Sequence, residues 1–215
     1  MSFFSTLFHY VLLSCKKYNI DESHGLPHAM NILLYANHIY EEEAAQYPVL
    51  KEQEKIIYVS AVLHDMCDKK YMNEADGLQE IQAYMQQQIS AEYQLSPEEM
   101  ESVSNIISSM SYTKVKRVGF PHLGEYQRAY HIVREADLLC AYDFDRCMIY
   151  NMKTTGADIQ SAFHNADNLF ASRVLKQIHD PLFFTRYSLR EAPTLHIGAL
   201  NRIQHWKYIL SKKIG

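Results

Sequence analysis

The stretch Val59-Ser60-Ala61-Val62-Leu63-His64-Asp65 is an apolar run that ends in an imidazole and a carboxylate. It belongs to a segment, about Lys51 to Met66, that reads as helix. Burying His64 or Asp65 among such neighbours is costly unless each finds a partner. A divalent cation is one such partner, because imidazole nitrogen and carboxylate oxygen both suit a borderline metal. Two further segments carry the same kind of side chain inward. His28 shares a stripe with Ile32, Tyr35, Ala36 and Ile39, the spacing of one apolar helix face. Asp137 shares a face with Val133, Cys140 and Phe144. Taken singly, an inward His is more often a satisfied core residue, and an inward Asp a cap or ion-pair partner. Three separate helices thus each aim a metal-competent side chain at the interior, and their order along the chain is what bears on the choice.

The remainder of the chain reads as all-α. Seven glycines and six prolines in 215 residues are too few for many short strands and tight turns. Long stretches rich in Leu, Ala, Met, Gln and Glu favour helix. A first helix is expected from about Phe3 to Lys16, with Phe4, Leu7, Phe8, Val11, Leu12 and Cys15 on one face. Pro27 suits a first helical position, opening a helix that runs to about Ala45. After the segment that ends in His64-Asp65, another helix is expected from about Ala75 to Ile89. Ser96-Pro97-Glu98-Glu99 is a capping box that starts a helix ending near Ser111. Tyr112 to Glu125, with Gly119, Pro121 and Gly124, reads as an irregular loop. Helices follow over about Gln127 to Asn151 and Asp158 to Ile178; Asp180-Pro181 breaks the chain, and a last helix begins near Thr194. With no repeat or linker, residues 1–215 are expected to form one compact helical domain. Its motif region covers 21–145 and a C-terminal helical extension covers 156–215.

Composition narrows the function classes. The formal net charge is −4, from 21 basic and 25 acidic residues. A duplex-binding protein would usually show a basic excess or stripe, so no nucleic-acid partner is expected. The short cluster Lys114, Lys116 and Arg117 suffices for one small phosphate ligand. Cys15, Cys67, Cys140 and Cys147 form no Cys-x-x-Cys pair, so a reducing cytoplasm is expected rather than a disulfide framework. Leu12-Leu13-Ser14-Cys15 has the look of a lipoprotein cleavage box, but no positive segment precedes it, and an amphipathic helix is the better reading. No apolar stretch is long enough to span a bilayer, and no membrane partner is expected.

The order His…His-Asp…Asp on successive helices resembles the signature of the HD superfamily of metal-dependent phosphohydrolases, a compact helical bundle. His28-Ala29-Met30-Asn31-Ile32-Leu33-Leu34-Tyr35-Ala36 looks like its first motif, Val62-Leu63-His64-Asp65-Met66 its second, and Glu135-Ala136-Asp137-Leu138-Leu139 its third. A narrower likeness, over about Asp21 to Tyr142, is to a bacterial branch that includes small nucleotide pyrophosphohydrolases. Asp21-Glu22-Ser23-His24-Gly25-Leu26-Pro27-His28, Asp68-Lys69-Lys70-Tyr71 and Met110-Ser111-Tyr112-Thr113-Lys114 carry it. Asn31 stands where that branch usually has Arg, Gly25 where it has Asp, and Leu138 where it often has Arg. The last third aligns with nothing in the family.

The resemblance implies that His28, His64, Asp65 and Asp137 hold one divalent ion: Mn, Co, Mg, Ni, Zn or Fe. Mixed nitrogen and oxygen ligation does not choose among these. Such an ion acidifies bound water and polarises a phosphoryl oxygen, so hydrolysis of a phosphoester or phosphoanhydride is the expected reaction. The expected substrate is a small phosphorylated molecule, a nucleotide by analogy with the family, and a homodimer is compatible with the sequence. Asp65 is expected to bind metal and orient water, and Asp68 to act as general acid or base. Lys70 and Lys114 are expected to contact phosphate, and His24 to support the site or the substrate. Two other readings stay open: a di-iron oxygenase of the same scaffold, needing His122 and His131 beside the His64-Asp65 pair, and a regulatory module that binds a nucleotide without turnover.

Overall fold

The computed structural model describes residues 2–88 and 93–212. It is all-α, with ten α-helices and no strand among those residues. They are α1 (Phe3–Tyr18), α2 (Leu26–Ala44), α3 (Glu54–Leu63), α4 (Glu74–Gln88), α5 (Pro97–Ser109), α6 (Tyr112–Val118), α7 (Gln127–Cys140), α8 (Phe144–Thr155), α9 (Ile159–Ser172) and α10 (Arg186–Ser211). The expected end of the fourth helix at Ile89 lies outside the described residues.

The centre of the fold is α3. Every residue from Ile56 to Leu63 is buried, and a helix apolar on all sides belongs inside a protein. Packed around it are α2, which buries Ala29, Ile32, Ala36 and Ile39, and α7, which buries Ile132, Val133 and Ala136. The apolar run of α3 therefore delivers His64 and Asp65 into the middle of the molecule rather than to its surface.

Local chemistry sets the ends. The Ser96 hydroxyl accepts from Glu99 N–H and the Glu99 carboxylate accepts from Ser96 N–H, so the capping box of α5 is complete. Asn19, with φ 53°, closes α1 in the left-handed region that Asn tolerates. Segment 48–53 forms a 3-10 turn, so α3 starts at Glu54 rather than at Lys51.

Four other differences from the sequence reading have physical causes. The buried side of α1 runs through Leu7, Tyr10, Val11 and Ser14, leaving Phe4 and Leu12 exposed. The segment read as a loop at Tyr112 contains the seven-residue α6, because the Ser111 hydroxyl accepts from Lys114 N–H and starts a helix. The long helix expected over Gln127 to Asn151 is two helices. The Asp143 side chain accepts from Arg146 N–H and caps a new helix, α8, after a break at 141–143. The last helix begins at Arg186, eight positions before Thr194, capped by Thr185, and it accommodates Pro193 on an exposed position.

The C-terminal helices fold back onto the core. α10 lies across α2, α7 and α8 through a stripe of mostly small residues, Ser188, Ala192, Ala199 and Ile203, which allows close approach. Among the described residues no helix is long and apolar enough to cross a membrane.

Candidate metal centre

Three helices meet at one point. His28 lies in the first turn of α2, His64 and Asp65 follow the last turn of α3, and Asp137 projects from α7. His28 Nε2 is 3.3 Å from Asp65 Oδ2 and 3.8 Å from Asp137 Oδ1. His64 Nε2 is 3.3 Å from Asp65 Oδ1 and 3.9 Å from Asp137 Oδ1. One ligating atom from each of His28, His64 and Asp65 falls within 4.8 Å of the others. Ligands at about 2.0–2.2 Å from a common ion stand roughly 3–3.5 Å apart, so these separations suit a shared cation.

Two observations test the fit. His64 Nε2 and Asp65 Oδ2 are buried polar atoms without a hydrogen-bond partner, a costly arrangement that a cation between them would relieve. The His64 Nδ1–H donates to the Ala61 carbonyl at 2.9 Å. That bond makes Nδ1 the donor and leaves Nε2 as the nitrogen facing the carboxylates, the one that would bind a metal on losing its proton. The donor set fits a divalent ion.

The electrostatics agree. His28 is pushed down to about 4, first by burial and then by the Arg146 cation, so it is the neutral base a metal needs. Burial would also lower His64, but Asp65 and Asp137 outweigh it and raise the group to about 9. Burial would raise Asp65, yet the two imidazoles hold it well below the usual carboxylate range. The two carboxylates thus make a pocket of negative potential that draws positive charge onto whatever lies between them.

Around the cluster the structure gathers part of the remaining expected set. His24 Nδ1 is 2.8 Å from Ser23 Oγ and 3.2 Å from Tyr71 Oη, and its Nε2 is 3.3 Å from Lys70 Nζ. Its ring lies 6.1 Å from that of His28. Asp21 anchors this group by accepting from the Ser23 and Tyr71 hydroxyls. Asp68 accepts from the Lys70 backbone N–H at 2.9 Å and pairs with Lys70 Nζ at 3.3 Å, which closes the turn after the His-Asp pair. Its carboxylate therefore positions Lys70. Lys114 is elsewhere: its ammonium donates to the Ser108 carbonyl at 2.8 Å, and no hydrogen bond or ion pair joins it to the cluster among the described residues.

Two residues that sequence reading passed over complete the site. Arg146, on α8, lays its guanidinium against the His28 ring, with Nη1 2.6 and 2.7 Å from the two ring nitrogens, and donates to the Ser23 carbonyl at 3.3 Å. One turn further along, Tyr150 sets its ring 5.3 Å from His24 and beneath Lys70 Nζ at 5.5 Å. A signal for both lay in Asp143, a helix-capping residue three positions before Arg146. His122 and His131 are not at the cluster. His122 is exposed in the loop, and His131 packs among Phe120, Tyr130 and Phe184 while meeting Gln127 and Arg134.

Compared with protein-family models, curated proteins and solved structures, the chain matches none.

Proposed function

We propose that this protein is a metal-dependent phosphohydrolase. The observation that carries the reading is the convergence of His28, His64 and Asp65, with Asp137 beside the two imidazoles, from three helices, and with His64 Nε2 and Asp65 Oδ2 buried without a hydrogen bond. A divalent cation held there supplies Lewis-acid polarisation of a phosphoryl oxygen and acidifies water. The chain does the rest. Asp65, whose two oxygens face different imidazoles, is placed to orient a water as well as to bind. Lys70, beside His24, and Arg146, beside His28, bring positive charge to the cluster, where a phosphoryl group would spread its negative charge. With a cation on His28 Nε2 the Arg146 guanidinium would have to withdraw from that nitrogen, which would free it to meet phosphate.

Within this class, the sequence resemblance around His24, Lys70 and the His-Asp pair supports a nucleotide as substrate, cleaved at a phosphoester or phosphoanhydride. The di-iron alternative gains nothing from the placement of His122 and His131, and the binding-only module nothing from a complete ligand set.

The test is release of phosphate or pyrophosphate from a nucleotide panel with added Mn, Co or Mg. Wild type is compared with a His64→Ala, Asp65→Ala double variant. Metal-dependent release that the variant lacks supports the reading. No release by folded, metal-loaded wild type sinks it.

A further inference from the structure

A cleft of about 780 Å³ opens beside the cluster and shares His28 with it. One wall is α2, through Asn31, Tyr35 and His38; the opposite wall is α10, through Tyr187, Glu191 and Gly198. The start of α8 closes the inner end with Arg146. Small-molecule sites typically occupy about 300–1,000 Å³, so the space exceeds what a phosphate or pyrophosphate alone would use.

Its lining sorts by charge. Arg146 stands at the end next to His28. The other charged groups of the lining are wrong for phosphate. Arg202 is taken up by both oxygens of Asp145, at 2.9 and 3.0 Å, and Asp143 is occupied as the cap of α8. Glu191 is half-buried and joins no ion pair or hydrogen bond among the described residues. A carboxylate so placed is an acceptor for hydroxyl or amino donors, the use to which ribose-binding acids are put. Aromatic rings lie in the same lining: His38 and Tyr187, one from each wall, stack on each other at 5.4 Å with only 10° between planes, and Tyr35 and Tyr142 also line the cleft. Such rings receive a planar group by offset stacking.

We propose that this cleft binds the uncharged, ring-bearing part of the phosphorylated substrate, a group with the chemistry of a nucleoside, while its phosphates lie at Arg146 and the metal cluster. The placement of the phosphates rests on the hydrolase reading; occupation of the cleft is measured separately. The assignment makes α10 a determinant of specificity.

Gly198 allows a clean test. It lines the cleft, and a Cβ added there meets no atom within 4 Å, while Leu is the better helix former. Binding of nucleoside 5′-monophosphates is measured by calorimetry for wild type and Gly198→Leu, with inorganic pyrophosphate as the probe of the phosphate end. Gly198→Leu should weaken nucleotide binding by about tenfold or more, the scale of a steric block in a specificity pocket, and leave pyrophosphate and Mn affinity unchanged. In Glu191→Gln, a ribonucleotide should lose more affinity than its 2′,3′-dideoxy counterpart. Equal nucleotide affinity in wild type and Gly198→Leu, or no nucleotide binding by folded wild type, overturns the proposal. Binding that Gly198→Leu abolishes, in a protein that hydrolyses no nucleotide with any metal, upholds the cleft and sinks the hydrolase reading instead.

Discussion

The Glu135 carboxylate accepts the backbone N–H and the hydroxyl of Thr185, at 3.1 and 2.7 Å, across 50 positions of sequence. Its other oxygen takes the Phe184 N–H at 2.9 Å, and the Arg134 guanidinium lies 3.3 Å away. Two residues before the candidate ligand Asp137, α7 thus holds the first turn of α10 and with it one wall of the cleft. Thr185→Val removes both the hydrogen bond to Glu135 and the cap on Ser188 N–H, and should cost about 1–3 kcal/mol. Glu135→Ala leaves Arg134 buried without its partner and should cost about 3–5 kcal/mol. Urea denaturation reads both. Losses under about 0.5 kcal/mol, the scale of a neutral surface change, would show that α10 is held by other contacts.

A ligand that binds only the folded state stabilises it, by about 2.7 kcal/mol at a hundred times its Kd. For a chain of this size each kcal/mol raises the melting temperature by roughly 2–4 °C. Saturating Mn or Co should therefore raise it by about 5–10 °C, and a chelator should reverse the rise. His64→Ala with Asp65→Ala should show no such shift in a melting experiment. An equal rise in wild type and double variant would place the metal elsewhere.

Arg146 separates binding of metal from handling of phosphate. Its guanidinium lies against His28, where a positive charge opposes a cation. Arg146→Ala should therefore bind Mn at least as well as wild type, while turnover falls by about 10²-fold, the usual effect of deleting one electrostatic stabiliser. Steady-state kinetics with calorimetry of Mn binding checks both halves. Unchanged turnover would remove Arg146 from the phosphate site.

Why the His-Asp pair could be read from sequence, and Arg146 could not, is a matter of geometry. His64 and Asp65 end a helix whose every residue from Ile56 onward is apolar or small, so their burial follows from the pattern. His28 and Asp137 lie on regular apolar stripes, and a stripe fixes direction. Arg146 depends on a break. In one continuous helix it would lie about 13 Å beyond Asp137 along the axis, at 1.5 Å per residue. The turn at 141–143, capped by Asp143, instead brings it back to His28. A single capping aspartate inside an otherwise helical composition is a weak signal. The sequence reading starts the last helix near Thr194, yet α10 starts eight positions earlier and holds Pro193 on an exposed position. The cleft was illegible for a related reason: its walls, α2 and α10, are brought together by tertiary bonds such as those of Glu135.

His131 gives the protein a defined acid sensitivity. Burial, and then the nearby Arg134 and Arg128, push it down to about 4. In the unfolded chain it takes a proton near pH 6.5. Between those values the unfolded state binds the proton and the folded state does not, so stability falls as pH drops from about 6.5 to about 4. Comparing His131→Gln with wild type isolates this contribution from that of His28 and His64. Denaturation midpoints at several pH values across the window should fall more steeply in wild type. Parallel slopes would mean that His131 stays protonatable in the fold.

Gly77 links the packing of α4 to the candidate metal centre. It is buried on that helix, and a Cβ built there would stand 2.6 Å from Cys67 Cβ, 2.9 Å from Cys67 Cα and 2.8 Å from Met72 Sδ. Helix propensity alone favours Ala over Gly by about 1 kcal/mol, so an unobstructed site would gain stability from Gly77→Ala. The obstruction is backbone, two residues after Asp65, and it cannot swing aside as a side-chain tip could. Overpacking of this kind costs about 1–3 kcal/mol, which offsets the propensity gain or exceeds it. Relief requires the 65–68 turn to move, and that turn carries Asp65 as well as Asp68, whose carboxylate holds Lys70. Gly77→Ala should therefore weaken Mn binding even where global stability changes little, and a chelator competition titration beside a urea melt separates the two effects. A variant more stable than wild type by about 1 kcal/mol, with unaltered Mn affinity, would show that α4 yields and the turn does not.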